Sequence, residues 1–173
     1  MKLPDLITRP LGRKMFGKVE KLLVHAGENE VVILDLAGIK VMDSSFIDEF
    51  LLQLLRESRR PEGGFFIKLR NVPDIAENNI DSMLVSYHSY SDEKIAVVTD
   101  RITMHNSNFL GILSPRERDI LDFLRVNKTA SAEDIASLIN ASVQEGEMLA
   151  DVLFRLRVIR REETSRGVRF SSL

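Results

Sequence analysis

The chain has 173 residues, 44% hydrophobic and 29% charged, with 24 Lys/Arg against 26 Asp/Glu for a formal net charge of −2. That length suits one ordinary domain, or one of roughly 110 residues plus one of roughly 60, and the charge balance excludes an overall basic nucleic-acid binder. No apolar run approaches the ~20 residues that cross a bilayer, the opening MKLPDLITRP lacks the apolar stretch of a secretory signal, and the absence of cysteine removes disulfides and thiolate chemistry; a cytoplasmic protein without membrane contact is the expectation.

In chain order, Leu11, Met15, Val19, Leu22 and Ala26 recur at helical spacing, and Gly27 suits the position just past the helix end. Val31 to Leu34 form a short aliphatic run that stops at Gly38. Its continuity predicts a strand buried on both faces. Ile47, Phe50, Leu51, Leu54 and Leu55 make a wide apolar helical face that ends near Arg59-Arg60-Pro61. Gly63-Gly64 marks a turn, and residues 65–69, FFIKL, read as a second strand. Pro73 opens a further helix that uses Ile75, Ile80, Met83 and Leu84, and residues 94–100, KIAVVTD, are a third strand. Strands alternating with helices predict a mainly parallel sheet with crossover helices.

The pattern changes at Ser114. SPRE (114–117), SAED (131–134) and SVQE (142–145) each place a serine three residues before an acid, the signature of a capped helix start. Apolar residues follow each one: Ile120, Leu121 and Leu124, then Ile135, Leu138 and Ile139, then Leu149, Val152, Leu153 and Leu156. VIRREETSRGVRF reads as two short strands around a turn ending at Gly167. Three short helices and a terminal hairpin are the parts of a winged helix-turn-helix. The expected organisation is an α/β domain over residues 1–105, a linker over 106–113, and a winged helix over 114–173. Within residues 99–113, a partial extension of the sheet and an interdomain contact are both open.

Residues 31–55, VVILDLAGIKVMDSSFIDEFLLQLL, pair an apolar strand and a glycine turn with Asp-Ser-Ser at a helix start. This run resembles the STAS family, the anti-sigma factor antagonist fold. The likeness extends through FFIKLRNV and KIAVV, over about residues 10–100. Within that family, Ser45-Phe46 followed by Asp48 and Glu49 resembles a STAS-like group in which Ser-Phe and an acid open the helix. The resemblance implies an α/β domain with a mainly parallel or mixed sheet and crossover helices. It further implies a non-catalytic role in bacterial signalling. By position, Ser44 is the first choice for phosphorylation by an ATP-binding anti-sigma-type kinase that is also the partner, and Ser45 the second. Phe46 stands where the usual pattern has glycine, which changes the surface a partner meets.

Two readings of the serines remain open. In one, Ser45 caps the helix and Asp48 reaches back, a contribution of about 1 kcal/mol. In the other, a phosphate joins Asp43, Asp48 and Glu49 in a strongly acidic spot that repels a partner. The candidate partner surface is therefore Asp43, Ser44, Ser45, Phe46, Asp48 and Glu49.

The C-terminal part also carries two readings. Gln144 opens the third helix, but Glu145, Glu147 and Asp151 on the same helix repel phosphates. Arg157, Arg160, Arg161, Arg166 and Arg169 are the DNA candidates of the hairpin, partly offset by Glu162 and Glu163. DNA contact and a protein-only adaptor without DNA both fit. Nothing marks an active site or a cofactor: His25, His88 and His105 stand apart, and Gly63-Gly64 lacks a following Lys-Ser/Thr. Asp35, Asp43, Asp48 and Asp100 near strand ends leave a metal-dependent hydrolase as a third, weaker reading. Homodimerisation suits both kinds of domain.

Overall fold

The computed structural model describes residues 5–27, 29–100, 109–165 and 167–173, and the chain divides into two compact units, Met1–Ile112 and Leu113–Leu173. Unit 1 runs α1 (Arg9–Leu23), β1 (Val31–Asp35), α2 (Ser44–Glu49), α3 (Leu51–Ser58), β2 (Phe66–Arg70), α4 (Asp74–Ser91), β3 (Ala96–Thr99) and β4 (Phe109–Gly111). The sheet order is β1-β2-β3-β4. The first three strands are parallel and β4 is antiparallel to β3. The fold is thus α/β with a mixed sheet. Residues 109–111 lie inside the stretch read from sequence as a linker, yet they form its fourth strand.

Each parallel crossover moves one strand further in the same direction. With right-handed crossovers, that places the intervening helices on one face of the sheet. The core agrees. Ile67, Leu69, Val97 and Leu110 from the strands are buried with Phe46, Ile47, Leu51, Ile80 and Leu84 from the helices, and Val32 and Leu34 pack against them. Val31, Ile33 and Asp35 point the other way. The expectation that β1 is buried on both faces is therefore corrected: Ile33 is 43% exposed. β1 is the outermost strand, and the helices cover only one of its faces.

The helical periodicity shifts by a residue in two places. Leu22 is exposed while Leu23 packs on the core, and on α4 Ala76 is buried while Ile75 is exposed. The apolar helix after residue 43 is interrupted at Phe50, whose φ of −116° and ψ of −71° separate α2 from α3. At the far end of α3, Arg59 donates to the Lys94 carbonyl at 2.6 Å and pairs with Glu93, which also accepts from the Tyr87 hydroxyl at 2.7 Å. This cluster ties α3 to the end of α4 and the start of β3.

Unit 2 runs α5 (Pro115–Asn127), β5 (Thr129–Ser131), α6 (Ala132–Ile139), α7 (Val143–Arg155), β6 (Ile159–Thr164) and β7 (Gly167–Ser172). The antiparallel sheet order is β5-β7-β6. All three helices open with complete capping boxes: Ser114 with Glu117, Ser131 with Asp134, and Ser142 with Glu145. Ile120, Leu124, Ile135, Leu153, Ile159 and Phe170 fill the core. Gly146 lets α7 approach α6: a Cβ there would lie 2.9 Å from the Ala136 nitrogen.

Gly111 is the tightest point of unit 1. Its φ is +106°, and a Cβ would collide with the Ile95 carbonyl oxygen. Its N–H is held by Asp81 Oδ1 at 2.8 Å, fixing β4 to α4. Substituting Gly111→Ala is expected to destabilise unit 1 by roughly 2–5 kcal/mol, combining backbone strain and overpacking. Urea denaturation followed by circular dichroism should show the unit 1 transition move to lower denaturant.

Candidate functional site

The start of α2 is built by Asp43. Its backbone is extended (φ −85°, ψ 163°), and its Oδ1 accepts the Phe46 N–H at 2.7 Å. Its Oδ2 accepts the Thr8 N–H at 3.2 Å. The segment before α1 is sewn to the same place: Leu6 N–H donates to the Val41 carbonyl and Asp43 N–H to the Leu6 carbonyl. One carboxylate therefore caps α2 and anchors the entry to α1.

The expectation that Ser45 caps the helix is corrected. α2 begins at Ser44, so both serines lie inside the first turn. Aspartate caps as well as serine does, and Asp48, the supposed back-reaching acid, is drawn away. Arg9 Nη1 meets Asp48 Oδ2 at 2.6 Å and Glu49 Oε1 at 3.0 Å, and Arg13 Nη1 meets Glu49 Oε1 at 2.8 Å. The hydrogen bond to Glu49, then that to Asp48, raises the Arg9 pKa above its ordinary value. The acidic spot is thus matched by two guanidiniums rather than left bare.

The candidate residues divide accordingly. Phe46 is fully buried, with its ring 5.1 Å from that of Phe50, so it serves the core and not a partner surface. Asp43, Asp48 and Glu49 are half-buried and engaged. Ser44 is exposed and Ser45 half-buried. Neither serine hydroxyl makes a hydrogen bond among the described residues. Sequence reading missed Thr8, Arg9, Gly12 and Arg13. Gly12 admits the close crossing, since a Cβ there would lie 2.9 Å from Glu49 Cβ and 3.1 Å from the Phe46 oxygen. The available signal was Arg9, Gly12 and Arg13 at helical spacing, but nothing local links them to residues so far along the chain.

The strand-end aspartates do not converge with α2. Asp35 accepts from Asn71 Nδ2 and from Ala37 N–H, both at 2.9 Å. These bonds, Asn71 first, lower its pKa. Their stabilisation is present at neutral pH and is lost as pH falls through the lowered pKa. Asp100 Oδ1 accepts the Asn71 N–H at 3.2 Å and its Oδ2 lies 3.6 Å from Arg70. Apart from the Asp35–Ala37 turn, these contacts join the C-terminal ends of β1 and β2 to Asp100, just past β3. Among the described residues no three His, Asp or Glu side chains gather as metal ligands.

In unit 2 the hairpin arginines are largely occupied. Arg161 pairs with Asp151 of α7 at 3.1 Å and with Glu163 at 3.0 Å. The Arg157 guanidinium lies 5.2 Å from the Phe154 ring centre. Arg160 is half-buried and engaged. Arg169 is exposed beside Glu162 in the register of the hairpin. Gln144 is exposed near the start of α7, where Glu145 is committed to capping Ser142. Arg166 and His105 lie outside the described residues.

The cap assignment has a direct consequence for stability. Asp43→Ala is expected to cost about 1–2 kcal/mol, the range for losing a helix cap. Ser44→Ala and Ser45→Ala should each stay within about 0.5 kcal/mol of the parent, as at unconstrained surface positions. Chemical denaturation of the three variants separates them.

Residues 12–68 match the family model described as a STAS-like domain of unknown function (DUF4325). That span runs from α1 into β2 and contains the α2 start, while β3, β4 and all of unit 2 lie outside it. No curated protein matches the chain. No helix among the described residues is long and apolar enough to cross a membrane. The first part of the chain, from α1 into β2, is therefore similar to a STAS-like domain.

Proposed function

We propose that the chain is a non-catalytic regulatory protein whose unit 1 docks a protein partner at the start of α2, with phosphorylation of Ser44 as the switch. The observation that carries this reading is the division of labour at α2. Asp43 caps the helix, which leaves Ser44 exposed and structurally unemployed. A phosphate there adds about two negative charges beside Asp48 and Glu49, whose present partners are Arg9 and Arg13. The local charge balance then tips to strongly negative, and a partner that fits the unmodified surface is repelled. The partner proposed, of the ATP-binding anti-sigma kinase type, follows from the resemblance of residues 31–55 to STAS domains.

For unit 2 we favour a winged helix that contacts protein. The order α5-β5-α6-α7-β6-β7, with β7 between β5 and β6, supports that reading. DNA is the second reading, supported by that topology and by exposed Arg169. Protein is preferred because Arg161 and Arg157 are held within the unit and the helix that would enter the groove carries Glu145, Glu147 and Asp151.

Purification of the full chain from its native host, with mass spectrometry of chain and co-purifying proteins, tests the switch. An ATP-binding kinase-like partner and a phosphate on Ser44 are expected, with retention of that partner lost in Ser44→Glu and kept in Ser44→Ala. A chain without phosphate, or one whose partner binds Ser44→Glu unchanged, contradicts the proposal. For unit 2, no binding to double-stranded DNA is expected at low salt. Salt-dependent binding that Arg160→Ala/Arg161→Ala abolishes establishes DNA as the target instead.

A further inference from the structure

The outer edge of β1 is an unfinished ladder. Leu36 N–H donates to the Arg70 carbonyl and Phe66 N–H donates to the Glu30 carbonyl. With the parallel register Val32↔Ile67 and Leu34↔Leu69, the even-numbered residues of β1 spend their main-chain groups on β2. The N–H and C=O groups of Val31, Ile33 and Asp35 therefore point away from the sheet, and β1 is its terminal strand. These three residues have no main-chain partner among the described residues.

Such an edge is a template for another strand, and monomeric proteins blunt it with lysine, proline or a bulge. Val31-Val32-Ile33-Leu34 has none of these. Ile33 is 43% exposed, so its side chain would gain cover from an added strand. A second copy of the same strand fits this edge without a like-charge clash. Antiparallel pairing about a two-fold axis through Ile33 sets Ile33 against itself and Val31 against Asp35 of the second copy. No like charges face each other. The same axis brings together the outward-pointing groups of both strands, because residues 31, 33 and 35 are symmetric about 33. The Asp35 carboxylate is already held by Ala37 and Asn71, which keeps it clear of the new rungs.

We infer that unit 1 pairs with a second copy of this chain through antiparallel β1 strands, making one continuous sheet across a two-fold axis. The inference is independent of what docks at α2. Sedimentation equilibrium on the full chain tests it, with two variants. Ile33→Pro removes an outward N–H that β2 does not use, as edge positions permit. Ile33→Lys sets two ammonium groups face to face on the axis. The parent is expected to be a dimer, and both variants monomers with unchanged far-ultraviolet circular dichroism. Should Ile33→Pro misfold, Ile33→Lys alone decides. A parent that is monomeric across the concentration range overturns the inference, and so does a dimer that Ile33→Lys leaves intact.

Discussion

Unit 1 depends on one carboxylate more than on any other polar group. Asp43 satisfies a donor of the first turn of α2 and a donor at the entry to α1 with its two oxygens. Helix starts leave N–H groups unpaired, and a single aspartate here resolves that problem while fixing where α1 begins. Arg9 and Arg13 then fall beside Asp48 and Glu49, and Gly12 allows the two helices to touch. Because the cap is supplied from outside the Ser-Ser pair, neither serine hydroxyl is hydrogen-bonded among the described residues. The proposed phosphorylation of Ser44 rests on that freedom.

The second constraint is handedness. Successive parallel crossovers in one direction load every crossover helix onto the same face of the sheet. The helical face becomes the core, with Phe46, Ile47, Leu69 and Leu84 inaccessible to solvent. β1 pays no part in closing the other side and ends as a half-exposed border. The candidate site and the free edge thus arise from one topology: β1 delivers the chain to α2 at its C-terminal end and leaves its outer edge unpaired along its length.

Much of this was legible from residues alone. The three capping boxes of unit 2 follow from serine and acid three apart, and each is complete in the structure. The strand–helix alternation of unit 1 followed from apolar period and length. Other features were hidden for physical reasons. β4 has three residues, too few for a period, and its place depends on the missing side chain of Gly111. β5 is equally short, and its Ser131 doubles as the cap of α6. The exposed face of β1 could not be read, because a run of valine, isoleucine and leucine looks the same at the edge of a sheet as in its middle. At the start of α2, the sequence reading assigned the cap to Ser45, whereas Asp43 holds it. Aspartate and serine cap equally well, and the choice was made by Thr8 and Arg9, far away in the chain.

The account rests on Asp43, and not either serine, holding the start of α2. Amide ¹H–¹⁵N spectra of the parent, Asp43→Ala, Ser44→Ala and Ser45→Ala test this at the atoms concerned. The Thr8 and Phe46 amides, which donate to Asp43, should shift in Asp43→Ala and stay in place in both serine variants. A Phe46 amide that moves as far in Ser44→Ala or Ser45→Ala as in Asp43→Ala would return the serines to helix capping and remove the structural basis for the switch.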